Sequence, residues 1–132
     1  MEHLTANAAQ LLLLVFLAIT FLQSGIDKVV DWKGNLTWLT GHFAKSPLGN
    51  MVPLLLGTVL VAEIASGILC AIGLYTISIG IDSDIPFYGA VLSCISLLML
   101  FFGQRMAKEY VGAQTIVIYL VPAVLLVYLL QQ

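Results

Sequence analysis

GTVLVAEIASGILCAIGL, residues 57–74, is an apolar run with one charged side chain, Glu63, in its interior. Polarity does not alternate along it, so neither a half-wet strand nor a barrel strand fits. A bilayer core about 30 Å thick takes about 20 apolar residues as a helix. Backbone groups in lipid must be satisfied within the segment, which makes a membrane-spanning helix the expected form. Extended in both directions, the span is expected over about 52–79.

The rest of the chain repeats the pattern. Further spans are expected over about 8–26, 86–103 and 113–130, giving an all-α membrane four-helix bundle as one domain over 1–132. Apolar residues make up 61% and charged residues 9%, against roughly 45–50% and about 25% in soluble proteins. A water-facing surface cannot be built from so few charges. Residues 1–10 hold no Lys or Arg ahead of the first apolar core, so no cleavable signal is expected and the first span is expected to stay. No basic patch with interleaved aromatics suggests nucleic acid.

The connections differ. The first, about 27–51, is long and contains Trp32, Leu36, Trp38, Leu39 and Phe43. Leu36, Leu39 and Phe43 share one helical face, with Lys33 and His42 supplying polarity, so an interfacial amphipathic helix or re-entrant segment is expected. The second is a tight turn around Gly80, Asp82, Ser83 and Asp84. The third, about 104–112, carries Arg105, Lys108 and Glu109. Every Lys and Arg lies in the first or third connection: Lys28, Lys33, Lys45, Arg105 and Lys108. The opposite side carries Asp82, Asp84 and Glu2. The positive-inside rule places the first and third connections in the cytoplasm and both termini on the periplasmic side of a bacterial inner membrane. Lys33, Arg105 and Lys108 are then expected near lipid headgroups, and Arg105 is spaced to pair with Glu109 at i+4. The Asn35-Leu36-Thr37 triplet matches a glycosylation acceptor, but the cytoplasmic placement argues against its use. Pro53 and Pro86 open spans, where a missing N–H costs little. Pro122 falls inside the fourth.

Glu63 is the most informative residue. A carboxylate at that depth costs on the order of 3 kcal/mol or more, so it should face the bundle interior, protonated, paired or in contact with water. It is either a proton relay or quinone hydrogen-bond partner, or a neutral acid that ties helices together. Candidate partners are Gln23, Ser24, Ser93, Ser96, Gln114, Thr115 and Tyr119. Around it Gly57, Ala62, Ser66, Gly67, Ala71 and Gly73 suit close helix packing.

A second cluster lies at the end of the first span, in FLQSGIDKVVDWKGN, residues 21–35. Gln23, Asp27 and Asp31 follow at i+4 and share one face if the helix continues. Lys28 sits beside that face, in reach of Asp31, and Gly25 permits a close neighbour or a bend. The cluster reads either as a site for an anionic or quinone headgroup with Lys28 as the cation, or as an interface anchor of snorkelling Lys and headgroup-level Trp. Cys70 and Cys94 fall at similar depth on neighbouring spans, either as small hydrophobes or as a thiol pair. His3 has no companions for a metal site, and no Ser-His-Asp arrangement, P-loop or Rossmann fingerprint occurs.

Two stretches, FLAITFLQSGIDKVVDW at 16–32 and AEIASGILCAIGL at 62–74, resemble the DoxX family of small bacterial membrane proteins. The first is similar to the family's span ending in Gly then Lys, the second to its Glu followed by a Gly-rich helix. The resemblance implies a four-helix membrane bundle, with functional roles on Gly25, Lys28, Glu63 and Gly67. It also implies a link to thiosulfate:quinone oxidoreductase and to membrane-bound thiol or oxidative-stress complexes. The paired-cysteine motif of the more redox-like relatives is missing, which argues against thiol catalysis. The expected role is an accessory or structural subunit of a larger membrane complex, working among lipid and other membrane-protein subunits, with no catalysis of its own and no required cofactor. The alternatives are a redox subunit acting with quinone or a small sulfur compound, in which Gln23, Gly25, Asp27, Lys28, Glu63 and Gly67 form the ligand site, and a small oligomeric transporter with Glu63 as coupling acid.

Overall fold

The computed structural model describes residues 5–47 and 49–131. Glu2 and His3, which entered the charge and metal arguments, lie outside the described residues. Among the described residues the main α-helices are, in order, α1 Ala8–Val30, α2 Trp32–His42, α3 Val52–Ser78, α4 Ile85–Met106 and α5 Tyr110–Gln131. A short 3-10 turn, Gly49–Met51, leads into α3. The described residues contain no strand. The helices α1, α3, α4 and α5 are long and apolar enough to cross a membrane, as the sequence predicts.

The boundaries shift in an informative way. The first span does not stop near residue 26 but carries Asp27 and Lys28 within the helix to Val30. It can do so because the Lys28 charge is matched inside the bundle. The turn between α4 and α5 shrinks to residues 107–109, because both flanking helices run further than their hydropathy suggests. That turn closes like the one after α3. Gly80 has φ 78°, and the N–H groups of Gly80 and Ile81 donate to the carbonyls of Ile77 and Thr76. This is a Schellman closure, in which a left-handed residue lets the chain cap its own last carbonyls. At the end of α4 the same geometry recurs with Lys108 at φ 61°. There Lys108 and Glu109 donate to Arg105 and Gln104.

Packing follows chain order: α1 lies on α3, α3 on α4 and α4 on α5, while α1 and α5 meet more sparsely. Leu14, Leu17, Phe21, Cys70, Leu97 and Leu126 form the buried centre. Large side chains such as Leu12, Val30 and Val111 stay exposed at 71%, 79% and 72%, which suits a solvent of acyl chains rather than water.

With lipid outside, close backbone approach replaces the hydrophobic effect as the packing force. A Cβ on Gly25 would stand 2.6 Å from Ile64 Cγ1, and one on Gly67 would stand 2.7 Å from Leu22 Cγ and 3.1 Å from the Leu22 backbone nitrogen. These two glycines therefore draw α1 and α3 together. Between α3 and α4, the Ser66 and Ser96 hydroxyls meet at 3.2 Å. Ser93 donates to the Gly89 carbonyl, leaving its oxygen to accept the Cys70 thiol at 3.6 Å. Cys70 and Cys94 are both free, so the pair forms no disulfide.

Candidate functional site

The α1–α3 contact sets the register of the charged residues. One turn beyond Gly25, Lys28 turns inward, and one turn before Gly67, Glu63 points back at it. Lys28 Nζ lies 2.8 Å from Glu63 Oε1. Glu63 is 1% exposed and the Lys28 side chain 17%. Glu63 lies about 16 Å along α3 from Val52 at 1.5 Å per residue.

The partner of Glu63 is thus Lys28, which is not among the candidates expected from the sequence. Hydropathy ends the first span before Lys28 and assigns that lysine to the connection, which puts the two charges in different environments on paper. Of the candidates, Ser24 contributes indirectly, accepting a 2.7 Å hydrogen bond from Lys28 Nζ. Ser93 and Ser96 donate to the Gly89 and Leu92 carbonyls of their own helix and meet Cys70 and Ser66 across the α3–α4 contact. Gln114 and Thr115 are exposed, and Tyr119 stacks on Phe16 at 5.9 Å. Lys28 also does not pair with Asp31. Gln23, Asp27 and Asp31 do share a face, but all three are exposed, and Lys28 points away from them into the bundle. The structure brings together Gly25, Lys28, Glu63 and Gly67, and leaves Gln23 and Asp27 outside.

An ammonium has three N–H donors. Ser24 accepts from one of them, while Glu63 Oε1 faces the nitrogen at 2.8 Å as an ion-pair partner without hydrogen-bond geometry. Lys28 therefore keeps donor capacity beyond Ser24, and it lines a cavity of about 500 Å³, within the usual range for small-molecule sites. Its walls come from α2 (Asn35, Trp38, Leu39), the first half of α3 (Leu55, Leu56, Val59) and the end of α4 (Met99, Gly103, Gln104). Most of the lining is apolar, with Lys28, Asn35 and Gln104 supplying polar groups. The Gln104 side-chain oxygen is buried without a hydrogen-bond partner, as are Glu63 Oε1 and, on α2, His42 Nε2. His42 stacks on Trp38 at 4.6 Å.

A roomier trough of about 680 Å³ runs along the outside of α3. It is shallow and apolar, and its Thr58 hydroxyl is already bonded to the Leu54 carbonyl. It has the character of a lipid-facing groove.

The helical form of α2 fits the expected interfacial segment. Leu36, Leu39 and Phe43 are half-buried, while Trp38 is 62% exposed. Lys33, Arg105 and Lys108 are exposed. Arg105 does not pair with Glu109. Its guanidinium lies over the Tyr110 ring at 4.7 Å, because the turn at 107–109 removes the helical spacing that an i+4 pair needs.

A family model described as DoxX matches residues 9–81, which covers α1, α2 and α3 and with them Lys28 and Glu63. No curated protein and no solved structure matches the chain.

Proposed function

The chain belongs to the DoxX family, and from that premise we propose that it is the membrane subunit of a larger bacterial inner-membrane complex, to which it contributes a binding cavity for a quinone-type headgroup. The observation that carries this reading is the Lys28 ammonium, which donates to Ser24, is ion-paired with Glu63 and lines the cavity with donor capacity left for a ligand. A carbonyl oxygen is the matching acceptor. The apolar lining suits a ring and the start of an isoprenoid tail, and the unpartnered Gln104 oxygen is an acceptor for a hydroxyl of the reduced form. A bound quinone would supply two-electron, two-proton redox chemistry. Lys28 would hold the headgroup, and Glu63 would keep Lys28 oriented and balance its charge at depth. In this reading the group that exchanges electrons with the ligand belongs to a partner protein of the complex. The clustering of Lys and Arg in the first and third connections supports both termini on the periplasmic side.

Trp38 lines the cavity and serves as the reporter. In Trp32→Phe protein reconstituted in nanodiscs, a short-tailed ubiquinone analogue should quench Trp38 fluorescence saturably. Lys28→Met should weaken that binding at least tenfold, the scale of one charge-assisted hydrogen bond. Quenching that never saturates, or that Lys28→Met leaves unchanged, would refute the reading. Displacement of the analogue by thiosulfate would instead identify a small sulfur anion as the ligand, the reading the same lysine also supports.

A further inference from the structure

The outward face of α1 carries Leu12, Phe16, Ile19, Gln23, Ile26 and Val30, which alternate spacings of four and three residues. The apolar members are 71%, 38%, 61%, 58% and 79% exposed in that order, and Gln23 is exposed among them. At 100° per residue Gln23 lies diametrically opposite Leu14, which is fully buried. It is about 10 Å from the Val30 end of the helix, and its amide makes no hydrogen bond among the described residues. A primary amide on the outward face of a span has two donors and an acceptor to satisfy. The lipid-facing surface of a stable bundle is a poor place for it.

We propose that this face is the interface of a parallel homodimer, a left-handed two-helix seam of α1 against α1 with Gln23 bonded to Gln23 of the second copy. Three features select a second copy as the occupant. Copies inserted in one membrane share one orientation, so a twofold axis relating them runs along the bilayer normal. Each residue near the axis then meets its own counterpart at its own depth. A side-chain amide, being both donor and acceptor, satisfies itself in that arrangement. The alternating four-and-three spacing is that of a left-handed coiled-coil seam, in which a single polar residue fixes register and partner number. Asp27 lies one turn nearer the helix end and about 40° around, at the rim of the seam, so the two copies' carboxylates need not meet. From α1 the ligand cavity takes Lys28, which points into the bundle, so the cavity lies apart from this outward face.

Single cysteines placed on the seam test the proposal in a Cys70→Ser, Cys94→Ser background reconstituted in lipid vesicles. Mild oxidation should cross-link Ile19→Cys, Gln23→Cys and Ile26→Cys into dimers, and should leave Ile95→Cys and Leu98→Cys, which are exposed on α4, as monomers. Energy transfer between labelled copies should show that Gln23→Leu raises the protein-to-lipid ratio for half-dimerisation about tenfold, in line with interhelical hydrogen bonds in membranes, while Gln23→Asn retains most of the dimer. Gln23→Leu should keep its helical circular dichroism and its Trp38 quenching, since it faces away from the core. No cross-link on the seam, equal cross-linking on and off it, or an unchanged ratio for Gln23→Leu would overturn the dimer. So would the capture of a different protein at position 23 in native membranes.

Discussion

Lys28 and Glu63 set the terms at the scale of single residues. Burying both charges costs several kcal/mol each, and their mutual attraction repays it only while both are present. Glu63→Ala should therefore lower stability by about 3 kcal/mol, because it strands an ammonium in the bundle. The paired change Lys28→Met with Glu63→Leu should recover most of that loss, since removing both charges removes both desolvation terms. Reversible unfolding in mixed micelles reads the difference. A double variant as weak as Glu63→Ala would mean that the pair stabilises beyond its own desolvation. Glu63→Gln should fold better than Glu63→Ala but bind the quinone analogue poorly, because the lysine loses its counter-charge and its fixed orientation. Each residue was visible in the sequence as an anomaly. Their partnership was not, because a lysine at the end of a span is indistinguishable by hydropathy from one that snorkels to water.

At the scale of the helices, the register that makes the ion pair is set by small residues. Gly67→Val should cost about 1–3 kcal/mol by overpacking, because the new side chain meets the Leu22 backbone as well as its side chain. It should also weaken Lys28-dependent ligand binding by moving α1 away from α3. Gly25→Ala should cost less, since its obstacle is the Ile64 side chain, which can turn. Both are measurable by the same unfolding assay. At the α4–α5 turn, Lys108→Gly should stabilise by about 1 kcal/mol through relief of a left-handed backbone. The existence of the spans was legible from hydropathy, and α2 from its apolar spacing. The turn at 107–109 was not. A left-handed lysine gives no signal comparable to Gly80, so the connection looks longer than it is and Arg105 and Glu109 look like a helical pair.

For the whole molecule, the spans pack in chain order, and the short second and third connections made that legible for α3 on α4 and α4 on α5. Hydropathy could not foretell which helix faces meet, since an apolar surface looks alike whether it touches lipid or protein. The orientation is testable as a unit. A membrane-impermeant maleimide should label Ser83→Cys from the periplasmic side and Lys45→Cys only after the membrane is opened, and the reverse pattern would invert the assignment. The ion pair also bears on how the protein responds to an energised membrane. Moving one elementary charge through the full field is worth about 2.3 kcal/mol per 100 mV, but opposite charges 2.8 Å apart travel as a neutral unit and feel almost none of it. Neutralising either partner alone would leave an uncompensated charge at depth, and voltage would then act on a bundle whose native electrostatics are blind to it.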